Sequence, residues 1–452
     1  MIKMTTIFLF IKKQIREIKT YGISEIYRKL LLVLNFLFLT VLNLFAIIPC
    51  FLIRLISPLI LVRIQRIPSS NFGNFVYAPA LYYCKNKINL NHQKKKYHID
   101  LFYISFKDRK IYNRQLAKMW KRKLIFLPYY LLEPINTINK FIPGWKKHSI
   151  QMFPSPNVRD TDNFFAKYHP LDFTTDEENY GRKMLEKFGL EENDKFVCLA
   201  VRDGDYQLKK ISSRYHDWSY HSYRHTDIDK FILAAEELTK RGYYVFRMGV
   251  VVEKPLKSKN PKIIDYANSD LRSDFMDIFL GAKCSFCIST VYGFDAVPNV
   301  FNRPTIMLGM PIGDLHTYSE KFLLMTKHHV LKKEKRKLSL SEIFSLNLAF
   351  AYDTKIFDEK GIKLVDNTPN EIKDLVVEMI EYLESNKKLK PEDEELQKTF
   401  KKLYADNLER FNHQISRSKN PYLLKFDIKK WHGQIRSRFS TKFLKQNRDW
   451  LN

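Results

Sequence analysis

Apolar positions along this chain change their spacing three times. From Leu30 to Ile53 they form one run without a charged residue. As a single helix it would be ~36 Å long, enough to cross a hydrocarbon layer of ~30 Å. From Arg63 onward, short β-rich runs alternate with stretches of helical period. Phe196–Arg202, Tyr243–Met248, Lys262–Tyr266, Ser285–Ser289 and Pro304–Leu308 read as strands. Asp229–Arg241, Ser273–Ala282 and Gly293–Phe301 read as helices between them, with Gly242 closing the first. Strand, helix, strand at this spacing predicts a parallel sheet covered on both faces.

The stretch before this is less regular. Asn71–Gly73 is a turn signal ahead of an apolar run to Tyr83. His98–Ser105 reads as a strand, Asn113–Lys123 as a basic amphipathic helix, and Ile125–Leu132 is apolar again. Pro154–Asp176 has the composition of a linker. Beyond Thr368 the chain is helical and heavily charged, opening with Thr368, Pro369 and Glu371 as N-cap, first-turn proline and capping-box acid. The expected architecture is α/β, with two Rossmann-like lobes at residues 67–175 and 176–350. A membrane-associated segment over 1–66 precedes them and a charged helical tail over 351–452 follows.

Charge adds a partner class. Lysine and arginine number 76 against 49 acids, a formal charge of +27, which favours phosphorylated ligands, nucleic acid or an acidic membrane surface. A solvated surface enriched in lysine is the plainer reading of the same excess. The five cysteines, Cys50, Cys84, Cys198, Cys284 and Cys287, are too scattered for a disulfide framework; Cys284 and Cys287 read as core. The apolar run starts too late, is too long and lacks a small-x-small site for a cleavable signal peptide. Lys12, Lys13, Arg16, Lys19, Arg28 and Lys29 precede it, yet Arg54, Arg63 and Arg66 follow it. A helix kinked at Pro49 that enters and leaves by one face satisfies both basic flanks, so a monotopic anchor is expected rather than a span.

In doubly wound sheets ligands bind beyond the carboxyl ends of the strands. Three such ends here carry polar clusters: Arg202-Asp203-Gly204-Asp205, Arg247-Met248-Gly249 and Ser289-Thr290-Val291-Tyr292-Gly293. An arginine there can fork onto a diphosphate. Hydroxyls and amides at a strand-to-helix turn can hold an anion. Asp203-Gly204-Asp205 could also hold a diphosphate through a divalent cation, but Arg202 beside it makes a metal unnecessary, and none is expected. Asp265, Arg272, Ser273 and Asp274 gather at another strand end, as ligand contacts or as the cap of a helix. Gly73 could admit close backbone approach, or be an ordinary turn glycine. No GxGxxG, Walker A, GxSxG or HExxH is present, so hydride transfer, P-loop, lipase-type and zincin chemistry have no support.

The order and wording of several stretches resemble a family of bacterial glycosyltransferases linked to surface polysaccharide or lipopolysaccharide synthesis. They are Asn71-Phe72-Gly73-Asn74, where the family has an Ile-Gly-His-like turn, then Asn113–Arg122, Asn139–Gly144 and Val201-Arg202-Asp203. Tyr223-Arg224, Asp227-Ile228, Arg247-Met248-Gly249, Asp265-Tyr266 and Arg272-Ser273-Asp274-Phe275-Met276-Asp277 continue the series. Ser289-Thr290 to Pro304 is similar to the donor-side loop of heptosyltransferase-type enzymes. The resemblance implies a GT-B-like arrangement, the acceptor side in the N-terminal lobe and the donor side in the C-terminal one. It implies transfer of a sugar from a nucleotide sugar, as substrate rather than cofactor, to a surface-glycan or lipid-linked acceptor at the cytoplasmic face of a bacterial inner membrane.

On this reading Arg202, Arg247, Gly249, Asp265, Arg272, Ser289, Thr290 and Gly293 bind the donor. Asp203 or Asp205 is the catalytic base, and Gly73 and Asn74 are on the acceptor side. Three rivals stand beside it: a basic nucleic-acid-binding protein, an inactive membrane-attached scaffold, and a transferase moving glycerol or ribitol phosphate from a CDP donor. No nucleic-acid-binding motif appears, and the basic residues are spread widely.

Overall fold

Pro49 divides the N-terminal apolar run in the computed structural model of the protein. Helix α1 spans Ile23–Phe45 and α2 spans Ile47–Leu55. A proline offers no N–H to the carbonyl four residues back and crowds it; that carbonyl is Phe45's, where α1 stops. The structure describes residues 14–15, 17–19, 22–92, 97–108, 111–150, 152, 159–204, 219–291, 293–351, 353–385, 388–416 and 434–452. Lys12, Lys13 and Arg16 of the basic flank, and part of the linker stretch, lie outside them.

After α2 come β1 (Ile60–Arg66), α3 (Phe72–His92), β2 (Tyr97–Tyr103), α4 (Arg114–Lys123), β3 (Ile125–Phe126) and α5 (Tyr129–Asn139). The chain forms two units. Unit 1 comprises 1–71, 89–112 and 120–152; unit 2 comprises 72–88, 113–119 and 153–452.

Unit 1 is built on a three-stranded parallel sheet in the order β1-β2-β3. Val62, Ile64, Tyr103 and Leu132 form its core, and Arg63 pairs across the register with Asp100 at 2.5 Å. The strand expected at His98–Ser105 is β2. The turn expected at Asn71–Gly73 is instead the opening of α3, a 21-residue helix with Pro79 inside it, of which residues 72–88 belong to unit 2. Phe75, Val76, Tyr77, Ala78, Ala80, Leu81 and Cys84 are all buried. The first half of α3, Phe75–Leu81, is apolar on every side and carries no 3.6-residue stripe, so the pattern concealed the helix.

The long C-terminal part of unit 2 begins with α6 (Thr175–Lys187), whose N-terminus is capped by a Thr174–Glu177 capping box. The doubly wound part follows: β4 (Lys195–Ala200), α7 (Ile232–Lys240), β5 (Tyr243–Arg247), β6 (Ile263–Ile264), α8 (Asp274–Lys283), β7 (Phe286–Ser289), α9 (Ala296–Val300), β8 (Thr305–Met310) and β9 (Phe322–Thr326). Ser273 is the N-cap of α8, its hydroxyl accepting from Met276 N. A small antiparallel sheet holds β10 (His328–Leu331), β11 (Arg336–Lys337) and β12 (Ile362–Val365). Four helices follow or interleave with it along the chain: α10 (Leu340–Ser345), α11 (Thr354–Glu359), α12 (Pro369–Glu384) and α13 (Pro391–Ser416). Last come β13 (Arg438–Phe439) and α14 (Thr441–Gln446).

The main sheet has seven strands in the order β13-β9-β8-β7-β4-β5-β6, with every neighbouring pair parallel. The chain therefore builds outward from β4 through β5 to β6, returns to lay β7 on the other side of β4, and continues to β8 and β9. This α/β organisation is the expected one. The C-terminal stretch does more than the charged tail that composition suggests: β13 extends the main sheet, and Phe400, Tyr404, Phe439 and Phe443 lie buried in the same core as β8 and β9. Thr368 and Glu371 do form the expected capping box.

Candidate functional site

β4 and β7 are adjacent strands whose connections leave in opposite directions, and such a switch point opens a crevice at their carboxyl ends. Arg202 stands two residues past β4 and Thr290 directly follows β7. They are joined: Arg202 N donates to Thr290 Oγ1 at 2.7 Å, while Thr290 N returns to Ala200 O at 3.0 Å. Ser289 and Thr290 are fully buried.

The turn after Thr290 is strained. Val291 has φ 52°, a left-handed conformation that a β-branched residue adopts only when its surroundings impose it. Gly293, at φ 82°, takes the same region at no steric cost, and its N–H donates to Asp295 Oδ1 at 2.7 Å. The amides of Thr290 and Gly293, expected to face an anion, are thus committed, the first to Ala200 O of β4 and the second within the turn. α9 begins only at Ala296 and is five residues long. Tyr292 lies outside the described residues.

A second segment closes on the first. Thr226 N donates to Arg202 O at 3.1 Å, and Arg224 Nη2 reaches Val291 O at 3.5 Å. Gly309, in β8 at φ 71°, lies so near that a Cβ there would sit 3.0 Å from Thr226 Oγ1 and 3.2 Å from Thr290 Cγ2. Arg224 Nε, His225 Nε2 and Thr226 Oγ1 are buried with no hydrogen-bond partner among the described residues. Three consecutive residues each leaving a polar atom unmatched is unusual in a folded interior, where such atoms are nearly always paired.

The electrostatics agree. Burial, then the charges of Arg224 and Arg202, lower the His221 pKa to about 4. Burial, then Arg202, Lys327 and Arg224, do the same to His225. Lys327 is 4% exposed, donates to His225 O at 2.7 Å and pairs with Asp366 at 2.7 Å. Three cations held near two uncharged imidazoles make a site for negative charge.

Beside it is a cleft of about 260 Å³, lined by Val201, Asp203, His225, Thr226, Asp227, Arg247 and Lys254 among others. Arg247 is 1% exposed and acts as its frame: Nη1 donates to Asp265 Oδ1 at 3.1 Å, Nη2 to Lys254 O at 3.2 Å, and Asp203 stands 3.8 Å away. Asp203 Oδ2 also accepts from Glu253 N at 2.8 Å. Asp265 Oδ2 accepts from Leu256 N and Asn268 Nδ2. Gly249 is required by packing, since a Cβ there would lie 2.6 Å from Val252 Cγ1.

The expected residues therefore divide. Arg202, Asp203, Arg247, Asp265, Ser289, Thr290 and Gly293 come together around the ends of β4, β5 and β7. Arg272 is turned to its own helix, pairing with Asp277 at 2.9 Å. Gly73 and Asn74 sit in the first turn of α3, and Gly73 N is 3.9 Å from where a Cβ on Gly293 would stand. Asp205 lies outside the described residues. No local sequence signal points to Thr226, Gly309 or Lys327; Arg224 and Asp227 belong to the stretches that carry the family resemblance. Among the described residues no three His, Cys, Asp or Glu side chains gather as a metal site.

No family model and no curated protein matches the chain. Solved structures do resemble it. An E. coli ADP-heptose lipopolysaccharide heptosyltransferase II aligns at TM-score 0.38 and 12% identity, covering 72% of this chain and 100% of its own. A family 9 glycosyl transferase from Veillonella parvula DSM 2008 aligns at TM-score 0.39 and 9% identity, covering 71% and 97%. An E. coli heptosyltransferase with ADP-2-deoxy-2-fluoro heptose aligns at TM-score 0.26 and 10% identity, covering 58% and 93%.

Proposed function

We propose that the protein is a glycosyltransferase whose unit 2 holds the diphosphate of a nucleotide sugar at the β4–β7 switch point. The observation that carries this reading is the run of unmatched buried polar atoms on Arg224, His225 and Thr226, set against Arg202 where two strands diverge. A diphosphate supplies the acceptors that those donors lack. Arg202 and Arg224 then oppose the charge that grows on the leaving nucleoside diphosphate as the glycosidic bond breaks, which is where fixed cations accelerate the reaction most. No metal is needed for that task. Thr290 positions Arg202 through its hydroxyl, and Arg247 positions Asp203 and Asp265.

A base must take the acceptor's proton, and either Asp203 or Asp205 is the proposed base. Asp203 lines the cleft with one oxygen held by Glu253 N. The acceptor is a surface glycan or a lipid-linked precursor, and the enzyme works at the cytoplasmic face of a bacterial inner membrane. The test is release of nucleoside diphosphate from UDP-, GDP-, CDP- and ADP-sugars by the full chain with a membrane extract as acceptor. One donor consumed by wild type, and at least ~100-fold more slowly by Arg202→Ala, is the expected result. Consumption of no donor by well-folded protein contradicts the proposal and favours a scaffold.

A further inference from the structure

Deepening the membrane reading, on which it rests, we propose that unit 1 seats monotopically on an acidic bilayer: α1 and α2 enter one leaflet from the side and do not cross. The contacts within unit 1 carry the topology. Tyr129 Oη, at the start of α5, donates to Asn35 Oδ1 at 3.0 Å, and Asn35 is midway along α1. Cys50 Sγ donates to Ile135 O at 3.3 Å, and Arg54 Nη2 donates to Asn139 Oδ1 at 2.5 Å. Asn35 of α1 and Cys50 and Arg54 of α2 are thus fastened to the start, middle and end of α5. A spanning α1 would place Asn35 near the bilayer centre. It would draw α5, with the carboxylate of Glu133 and the amides of Asn136 and Asn139, into hydrocarbon beside it, where charged and polar side chains are strongly disfavoured.

What α1 and α2 turn away from α5 is apolar and open. Val33, Leu34, Phe36, Leu37, Phe38, Val41, Leu44 and Phe45 on α1 are exposed, as are Ile48, Phe51 and Leu55 on α2. Only 6% of the most apolar window of α1 is buried. An apolar face of this extent in water marks an interaction surface. Its two ends are charged. At the start Glu25 binds Arg28, and Lys29 binds Glu17 at 2.8 Å; at the finish Arg54 leads within six residues into β1 of the same unit.

Charge identifies the surface that covers this face. Unit 1 contains 22 lysines and arginines against five acids. All five acids are engaged internally: Glu17 with Lys29, Glu25 with Arg28, Asp100 with Arg63, Asp108 with Arg66, and Glu133 with the Ser105 hydroxyl. Lys121, Lys140, Lys146 and Lys147 are exposed. A unit whose five acids are all engaged internally and whose surface joins an apolar face to exposed lysines matches a bilayer of anionic headgroups, which attract lysines near the surface.

Two experiments on the full chain test this. Flotation with vesicles of phosphatidylcholine alone, and mixed equally with phosphatidylglycerol, reads the headgroup preference. Tighter binding to the mixed vesicles, weakened by salt and reduced at least ~10-fold by Lys140→Glu/Lys146→Glu/Lys147→Glu, is expected. Equal binding to both vesicles without salt dependence overturns the electrostatic part. For topology, Ser24→Cys and Ser57→Cys bracket the helix pair, and each is treated with an impermeant maleimide in inverted and in right-side-out membrane vesicles. Labelling of both from one side is expected; labelling from opposite sides shows a span and overturns the seat. Nucleotide binding in detergent is independent of either outcome, so failure here leaves the donor site standing, and the reverse holds.

Discussion

At the residue scale the site depends on a few positions whose neighbours leave no room. Gly309 is one, with a left-handed φ of 71° and two threonines against its missing side chain. Gly309→Ala adds backbone strain and a methyl contact at 3.0 Å, and should cost ~1–3 kcal/mol of stability. It should also weaken nucleotide binding by displacing Thr226, and a thermal melt with and without nucleotide reads both effects. The imidazoles of His221 and His225 make a pH prediction. Their pKa values fall to about 4 in the folded protein against an ordinary 6.5. Between those values the unfolded chain binds more protons, so these two groups support stability fully above about 6.5 and lose it as pH falls toward 4. Asp160 and Asp277, raised to about 6 chiefly by burial, act in the opposite sense. The comparison is therefore with His221→Gln/His225→Gln, whose melting temperature should fall less between pH 7 and pH 5 than that of wild type. Arg202, Asp203 and Thr290 could be read from the sequence because each follows an apolar strand. Thr226, Gly309 and Lys327 could not, since nothing local ties them to Arg202; the sheet order alone brings them near.

Elements tell a similar story one level up. The strands β4, β5, β7 and β8 and the caps of α8 and α12 were legible, because each combines an apolar period with a local stop or start signal. α3 was not, its first half being buried on all sides and opened by a turn-like Asn-Phe-Gly-Asn. β13 was not, being two residues long and created by its neighbour β9. That short strand is nonetheless an anchor. Phe439 is fully buried, its ring 4.7 Å from that of Phe400 and 5.0 Å from that of Trp450. Phe439→Ala should cost ~3–5 kcal/mol, seen as a lower denaturant midpoint with the slope unchanged. A loss under ~1 kcal/mol would mean that the C-terminal segment is a detachable tail after all.

For the molecule as a whole, charge is partitioned by unit. The N-terminal apolar segment and most of the basic excess belong to unit 1, while unit 2 carries the doubly wound sheet and the cluster of Arg202, Arg224 and Lys327. The sequence revealed the total charge of +27 but not its placement, because unit 1 is assembled from three separate stretches of chain. Lipid attachment and donor binding should therefore be separable functions. The measurement that bears most directly on the account is a thermal-shift titration of the detergent-solubilised full chain with UDP, GDP, CDP and ADP, repeated on Arg202→Ala. A nucleoside diphosphate that raises the melting temperature of wild type and leaves the variant unmoved is the predicted result. An equal rise in both proteins, or none in either when both are folded, would contradict the placement of the donor's diphosphate at the β4–β7 switch point.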